Sequence, residues 1–211
     1  VESYRTLRAG ACAQGEFEDR RSRFIAQLVH VESPAEADAH QAAVRARHYD
    51  ARHNVPAWIL ADGTERASDD GEPQRTSGMP TLEVLRGAGL RDVCCVTTRY
   101  FGGTLLGPGG LVRAYTAAAQ AAVASAEDEG LIVEMTSVVP VSLAVSYAQY
   151  DQVRDMVERT GGKIGETTYT DAVALELTYR AGEQEAFLAA VRERFNATLA
   201  PEVGAQHFAE F

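Results

Sequence analysis

The run Arg99-Tyr-Phe-Gly-Gly-Thr-Leu-Leu-Gly-Pro-Gly-Gly-Leu-Val-Arg-Ala-Tyr115 constrains what this chain can fold into more than any other stretch. It leaves the apolar segment Asp92 to Thr98, which reads as a buried strand, and leads into Leu111 to Ser125, which reads as an alanine-rich helix. Glycines let backbone N–H groups converge, and a helix N-terminus favours anions. Gly102, Gly103, Gly107, Gly109 and Gly110 are therefore candidates for binding a phosphate or carboxylate, with Arg99 and Arg113 adding charge-assisted hydrogen bonds. Tyr100, Phe101 and Tyr115 could stack a base. The same glycines equally suit tight backbone packing and positive φ, with the aromatic rings filling core. The run lacks the Gly-Lys-Ser/Thr ending of a Walker loop and the spacing of a dinucleotide fingerprint.

A second motif, Ser68-Asp-Asp-Gly-Glu-Pro-Gln-Arg-Thr-Ser-Gly-Met-Pro80, gathers Asp69, Asp70 and Glu72. Folded together they could ligate a hard cation such as Mg²⁺ or position a water; spread apart they form a solvated turn whose Asp side chains bond nearby N–H groups. His53 could contact a ligand at these loops, or serve as a hydrogen-bonded histidine at a strand start. His30, His40, His48 and His207 show no metal-ligand spacing, so neither a metal nor a cofactor is expected. Cys12, Cys94 and Cys95 make an odd count, and the adjacent pair points to opposite faces of any strand carrying it. Buried thiols are the expectation for that pair; a reactive one would need a depressed pKa.

Along the chain, Ser22 to Val31 fits strand spacing and belongs to a strand pair. Ser33-Pro-Ala-Glu36 places a cap, a first-turn proline and a capping-box glutamate ahead of a helix through about His48. Asn54 to Asp62 reads as a strand, Gly63 to Gly78 as a loop, and Pro80 to Leu85 as a short helix. The charged turn Glu127 to Gly130 marks a boundary between domains 1–130 and 131–211. The second half reads strand (Ile132 to Val145), helix (Tyr147 to Thr160), strand (Lys163 to Tyr169), strand (Ala172 to Tyr179), helix (Gly182 to Phe195) and strand (Ala197 to Phe208). That order is βαββαβ, the ferredoxin-like arrangement. The fold class is α+β with two domains.

A chain of 211 residues favours two domains, each able to bury a core. The net charge of −10 gives nucleic acid no bulk support, although a local patch on an acidic protein still binds phosphates. No segment approaches the roughly 20 apolar residues of a membrane span, and Glu2, Arg5 and Arg8 interrupt any leader-like apolar run. The expected location is cytoplasmic, with no membrane partner.

Asp69-Asp-Gly-Glu-Pro73 together with Arg99-Tyr-Phe-Gly-Gly103 and Leu106 to Tyr115 resembles the IMPACT N-terminal domain, as do Ser22-Arg-Phe24 and Ala51-Arg-His53 upstream. The resemblance to the IMPACT/YigZ family covers nearly the whole chain. It implies an N-terminal βα fold shared with a small-subunit ribosomal protein domain, elongation factor G domain IV and the GHMP kinases. It further implies a C-terminal domain like the last domain of elongation factor G. Eukaryotic relatives regulate translation by competing for the activator of an amino-acid-starvation kinase. Where that family carries a Gly-Thr-Ala-Gly-Lys/Arg-Pro run, this chain has Arg75 for the first glycine and Met79 for the basic residue, so Arg75 could supply the charge instead.

The resemblance implies a translation-related regulator, its biochemical role undefined, that binds RNA, the ribosome or a translation-associated protein through its N-terminal loops. The competing reading is an enzyme acting on a small phosphorylated or carboxylated substrate, with or without Mg²⁺. With Arg75, Arg99 and Arg113 engaging phosphates and Tyr100 or Phe101 stacking, RNA binding is expected to show a log–log salt slope near about −2.

Overall fold

In a computed structural model, which describes residues 3–211, the chain forms two compact units, Tyr4–Glu134 and Met135–Phe211, the latter with Ser3. Glu2 lies outside the described residues. The described chain opens with β1 (Ser3–Leu7), whose Arg5 bridges Leu90 in parallel, and the first unit continues into the hairpin β2 (Cys12–Asp19) and β3 (Ser22–His30). Arg20 and Arg21 make its two-residue turn, both at positive φ (46° and 66°) as a turn matching strand twist requires.

Helix α1 (Pro34–Arg47) starts where the sequence places its cap: Ser33 Oγ accepts from Glu36 N–H, while the Glu36 carboxylate reaches back to Glu32 N–H. Then come β4 (His53–Ile59), β5 (Glu65–Ala67), α2 (Gly78–Gly87), β6 (Val93–Tyr100) and α3 (Gly107–Asp128). The five strands form an antiparallel sheet in the order β2-β3-β6-β4-β5. Central β6 is buried on both faces, hence its continuous apolar run. Cys95 points into the core shared with α2 and α3, while Cys94 and Val96 point to the α1 side with Trp58 and Val44. Burial pushes the Cys95 thiol up to about 12 and Cys94 higher still, opposite to what a reactive cysteine needs.

The alanines of α3 have a packing reason. Ala114, Ala118, Ala119, Ala122 and Ala126 are fully buried, and the helix lies so close to β2 that a Cβ on Gly15 would sit 2.1 Å from Ala122 N. Two expectations are corrected here. Gly107 to Gly110 is not a loop preceding the helix but its first turn, with Pro108 near N1 where a missing N–H costs nothing. The stretch 63–78 also contains β5, which pairs with β4.

The second unit contains β7 (Ile132–Val145), α4 (Tyr147–Arg159), β8 (Lys163–Tyr169), β9 (Val173–Arg180), α5 (Gln184–Arg194), β10 (Glu202–Val203) and β11 (His207–Glu210). Antiparallel β9 lies between β7 and β8, and β10 and β11 pair with β7. The alternation in β9 places Val173, Leu175, Leu177 and Tyr179 in a core with Val153, Val157, Phe187 and Val191. The single last strand expected over Ala197 to Phe208 is two short strands, interrupted at 204–206 where Gly204 crosses Pro140. No helix among the described residues is long and apolar enough to cross a membrane.

Candidate functional site

Strands β4 and β6 are neighbours in register, His53 opposite Arg99, so their ends deliver both side chains to one place. The 68–77 turn folds over that end, and the Phe101 to Leu106 connection into α3 closes the other side. Between them lies a cavity of about 680 Å³ lined by Asp50 to His53, Gly71 to Pro73, Arg99 to Phe101, Leu105 to Pro108, and Leu111. That volume suits a nucleotide-sized ligand.

At its base is a buried polar network. Arg99 Nη1 donates to both Glu72 oxygens at 2.8 and 2.9 Å, and the Tyr115 hydroxyl donates to Glu72 Oε1 at 2.8 Å. The Glu72 side chain is 3% exposed and that of Arg99 8%. Burial, followed by the charge and hydrogen bond of Glu72, pushes the Tyr115 hydroxyl far above its ordinary value and keeps it a donor. The Arg99 guanidinium lies between two rings, 5.6 Å from the Phe24 centroid and 5.7 Å from that of Phe101. Its Nε is buried without a hydrogen-bond partner among the described residues. Phe101 itself is 54% exposed, and Leu105 beyond it 81%.

His53 sits on the wall. Its Nδ1 is 2.8 Å from the Asp70 carbonyl oxygen, which only accepts, so Nδ1 carries the proton and Nε2 offers a lone pair in the neutral ring. Nε2 lies 4.0 Å from Glu72 Oε2. Tyr100 turns sideways, its hydroxyl bonded to His48 Nδ1 at 2.8 Å and Asp50 Oδ1 at 3.1 Å.

The three carboxylates of the acidic turn therefore diverge. Asp69 holds the start of α2, accepting from Arg75 N, Ser77 N, Ser77 Oγ and Gly78 N. Burial alone would raise its pKa, but these donors outweigh burial and hold it below the usual carboxylate value. Asp70 accepts from Asn54 N and pairs with Arg45 at 2.7 Å. Only Glu72 lines the cavity, and it is buried rather than solvated. Among the described residues no group of three or more His, Cys, Asp and Glu is arranged to hold a metal ion.

The glycine run also divides. A Cβ on Gly102 would lie 2.1 Å from the Arg21 carbonyl carbon, so this residue is a packing glycine, and Gly110 is tight against Leu106. Gly107 needs its positive φ of 72° to enter the helix. At Gly109 neither reason applies: a Cβ there would meet nothing within 4 Å, and no side chain caps this helix end. Arg113 is exposed on α3, and Arg75 lines a separate groove with Met79 and Val112. The structure thus brings together His53, Glu72, Arg99, Tyr100, Phe101 and Gly107, and does not gather Arg75, Arg99 and Arg113 on one cavity. Arg52, Pro73, Leu105 and Leu106 belong to the site without having been singled out from sequence; two leucines inside a glycine run, outside any strand or helix period, were the available signal.

Fold and site define a two-unit α+β protein with a ligand-sized cavity where the central sheet of its first unit meets the start of its long helix. Residues 20–123 match the Impact N-terminal domain and residues 143–198 a domain of unknown function (DUF1949). The chain belongs to the IMPACT family. It is 35% identical over 176 residues to the IMPACT family member YigZ of Escherichia coli (strain K12), covering 82% of this chain and 84% of that protein. The IMPACT family member YvyE of Bacillus subtilis (strain 168) is 42% identical over 117 residues, a match spanning 54% of this chain and 53% of the relative. A solved structure described as a hypothetical protein shares 32% identity, with a TM-score of 0.63 over 95% of this chain and 97% of its own.

Proposed function

We propose that this IMPACT family protein is a translation-related RNA-binding protein that takes unpaired nucleotides into the His53/Glu72/Phe101 cavity. One observation carries the reading: a single cavity presents an exposed aromatic ring, an arginine and an uncapped helix start. A base stacks on Phe101, whose far face is backed by the Arg99 guanidinium, while a phosphate meets the N–H groups of the first turn of α3. Arg52 lines the cavity and Arg21 stands beside Gly103; among the described residues neither is tied up in an ion pair. These two, rather than Arg75, Arg99 and Arg113, supply the phosphate contacts. The ribosome or a translation-associated protein presenting such RNA is the wider partner class.

We read the second unit as the ferredoxin-like split arrangement, like the last domain of elongation factor G, and the first as the domain IV-like βα fold. A boundary at Gly130 keeps β7 whole although the same sheet also takes in β1; a fragment 131–211 is expected to fold alone, and an unfolded fragment by circular dichroism counts against it. The binding test is fluorescence anisotropy with short labelled single-stranded RNA. Two engaged arginines give a log–log salt slope near about −1.4. Phe101→Ala costs about 1–3 kcal/mol of binding with an unchanged melting temperature, because the ring is more than half exposed. Absence of binding at low salt, or unchanged binding by both Phe101→Ala and Arg52→Ala, overturns the reading.

A further inference from the structure

His53 and Glu72 offer more than a wall. The Asp70 carbonyl fixes the histidine tautomer, so Nε2 is the ring's acceptor, and Glu72 Oε2 is a second acceptor 4.0 Å away. That gap is too long for a hydrogen bond and is the span one water closes. A water about 2.8 Å from each acceptor sees them at an angle near about 90°, close to its own H–O–H angle, so it donates one proton to each and keeps its lone pairs for the cavity. Glu72 is held for this task by Arg99 Nη1 and Tyr115, neither of which touches His53 Nε2. The uncapped start of α3 lies on the same cavity, and Arg99, a residue only 7% exposed whose buried Nε has no hydrogen-bond partner among the described residues, lends positive potential beneath it without contacting the ligand; together they mark where an anionic group is stabilised.

We propose that the cavity hydrolyses a phosphodiester, with His53 as the general base and the His53–Glu72 water as nucleophile. This rests on the reading that a phosphate-bearing ligand occupies the cavity. As the water oxygen attacks phosphorus, the P–O bond to the incoming oxygen forms and one water proton passes to His53 Nε2. The P–O bond to the leaving alcohol then breaks on the opposite face, the departing oxygen takes its proton from solvent water, and Nε2 gives up its own to solvent. The products are a phosphomonoester and an alcohol, His53 returns to its neutral form, and no oxidation state changes. Of the first-turn residues of α3 that line the cavity, Gly107 carries the N–H that meets the charge building on the non-bridging oxygens, since Pro108 has none. Glu72 is a positioning residue for the water.

The test uses the full chain with bis(p-nitrophenyl) phosphate in EDTA, following nitrophenolate, while amide shifts of residues 101–111 report occupancy. The wild type is expected to turn over saturably, and His53→Asn, which keeps an N–H for the Asp70 carbonyl, to lose about 100-fold or more in kcat with KM retained. His53→Gly is expected to recover part of the rate on adding imidazole. Melting curves accompany each variant, so that a folded His53→Asn protein decides the matter if His53→Gly unfolds. Wild-type turnover no faster than buffer while the amides shift overturns hydrolysis and leaves ligand binding standing; no turnover and no shift overturns both. Full activity in His53→Asn, or turnover that appears only when Mg²⁺ replaces the EDTA, refutes His53 and its water as the catalytic machinery.

Discussion

Replacing Glu72 and Arg99 singly and together tests whether the polar network under the cavity is a closed unit. Glu72→Leu leaves the Arg99 guanidinium stranded between Phe24 and Phe101 at 8% side-chain exposure and deprives the Tyr115 hydroxyl of its acceptor. Breaking a buried pair on one side costs about 3–5 kcal/mol, so this variant is expected to lose about 4 kcal/mol. Arg99→Met leaves Glu72 with Tyr115 as a donor and is expected to lose about 3 kcal/mol. In the double variant both charges are gone and only the Tyr115 hydroxyl is unpartnered, a cost of about 1–2 kcal/mol, which a further Tyr115→Phe removes. The double variant is therefore more stable than either single one. Urea unfolding followed by Trp58 fluorescence measures this directly, since Trp58 is the sole tryptophan, is 5% exposed and lies in the same unit. Additive losses, with the double variant the least stable, would refute a mutually compensated pair.

Arg75 sits at φ 63°, a conformation that favours glycine, so Arg75→Gly is expected to raise stability by up to about 1 kcal/mol in the same urea assay. Asp69→Asn weakens the hold on α2 at neutral pH by about 1 kcal/mol. Because the folded pKa of Asp69 is depressed, its contribution is full above the unfolded value of about 3.9 and is lost as pH falls through the folded value. The gap between wild type and Asp69→Asn should thus close on acidification below about pH 4, and a gap that widens there would contradict the donor geometry. Gly15→Ala forces a Cβ into three backbone atoms of α3 within 2.7 Å and is expected to cost more than about 3 kcal/mol, whereas Gly109→Ala, facing open space, changes melting little.

Local chemistry made much of the fold legible. The Ser33-Pro-Ala-Glu36 start, the Val93 to Tyr100 run and the alternation of Val173 to Tyr179 each depend on neighbours within one element. The site was legible only by half. Glu72 lies between Gly71 and Pro73 and reads as a solvated turn, because what buries it, Arg99 and Tyr115, stands 27 and 43 residues away. Arg99 was visible as a charge but not as one already neutralised. Gly102 and Gly109 look alike in sequence and differ only by what lies above them, the Arg21 backbone in one case and open space in the other.

Amide shifts during titration of the full chain with a short single-stranded RNA test the central claim most directly. The account predicts saturable movement of Phe101, Gly107, Gly109 and Leu111, weakened by Arg52→Ala and by added salt, with the second unit unmoved. Shifts confined to residues outside 50–53, 71–73 and 99–111, or no shifts at low salt, would contradict it.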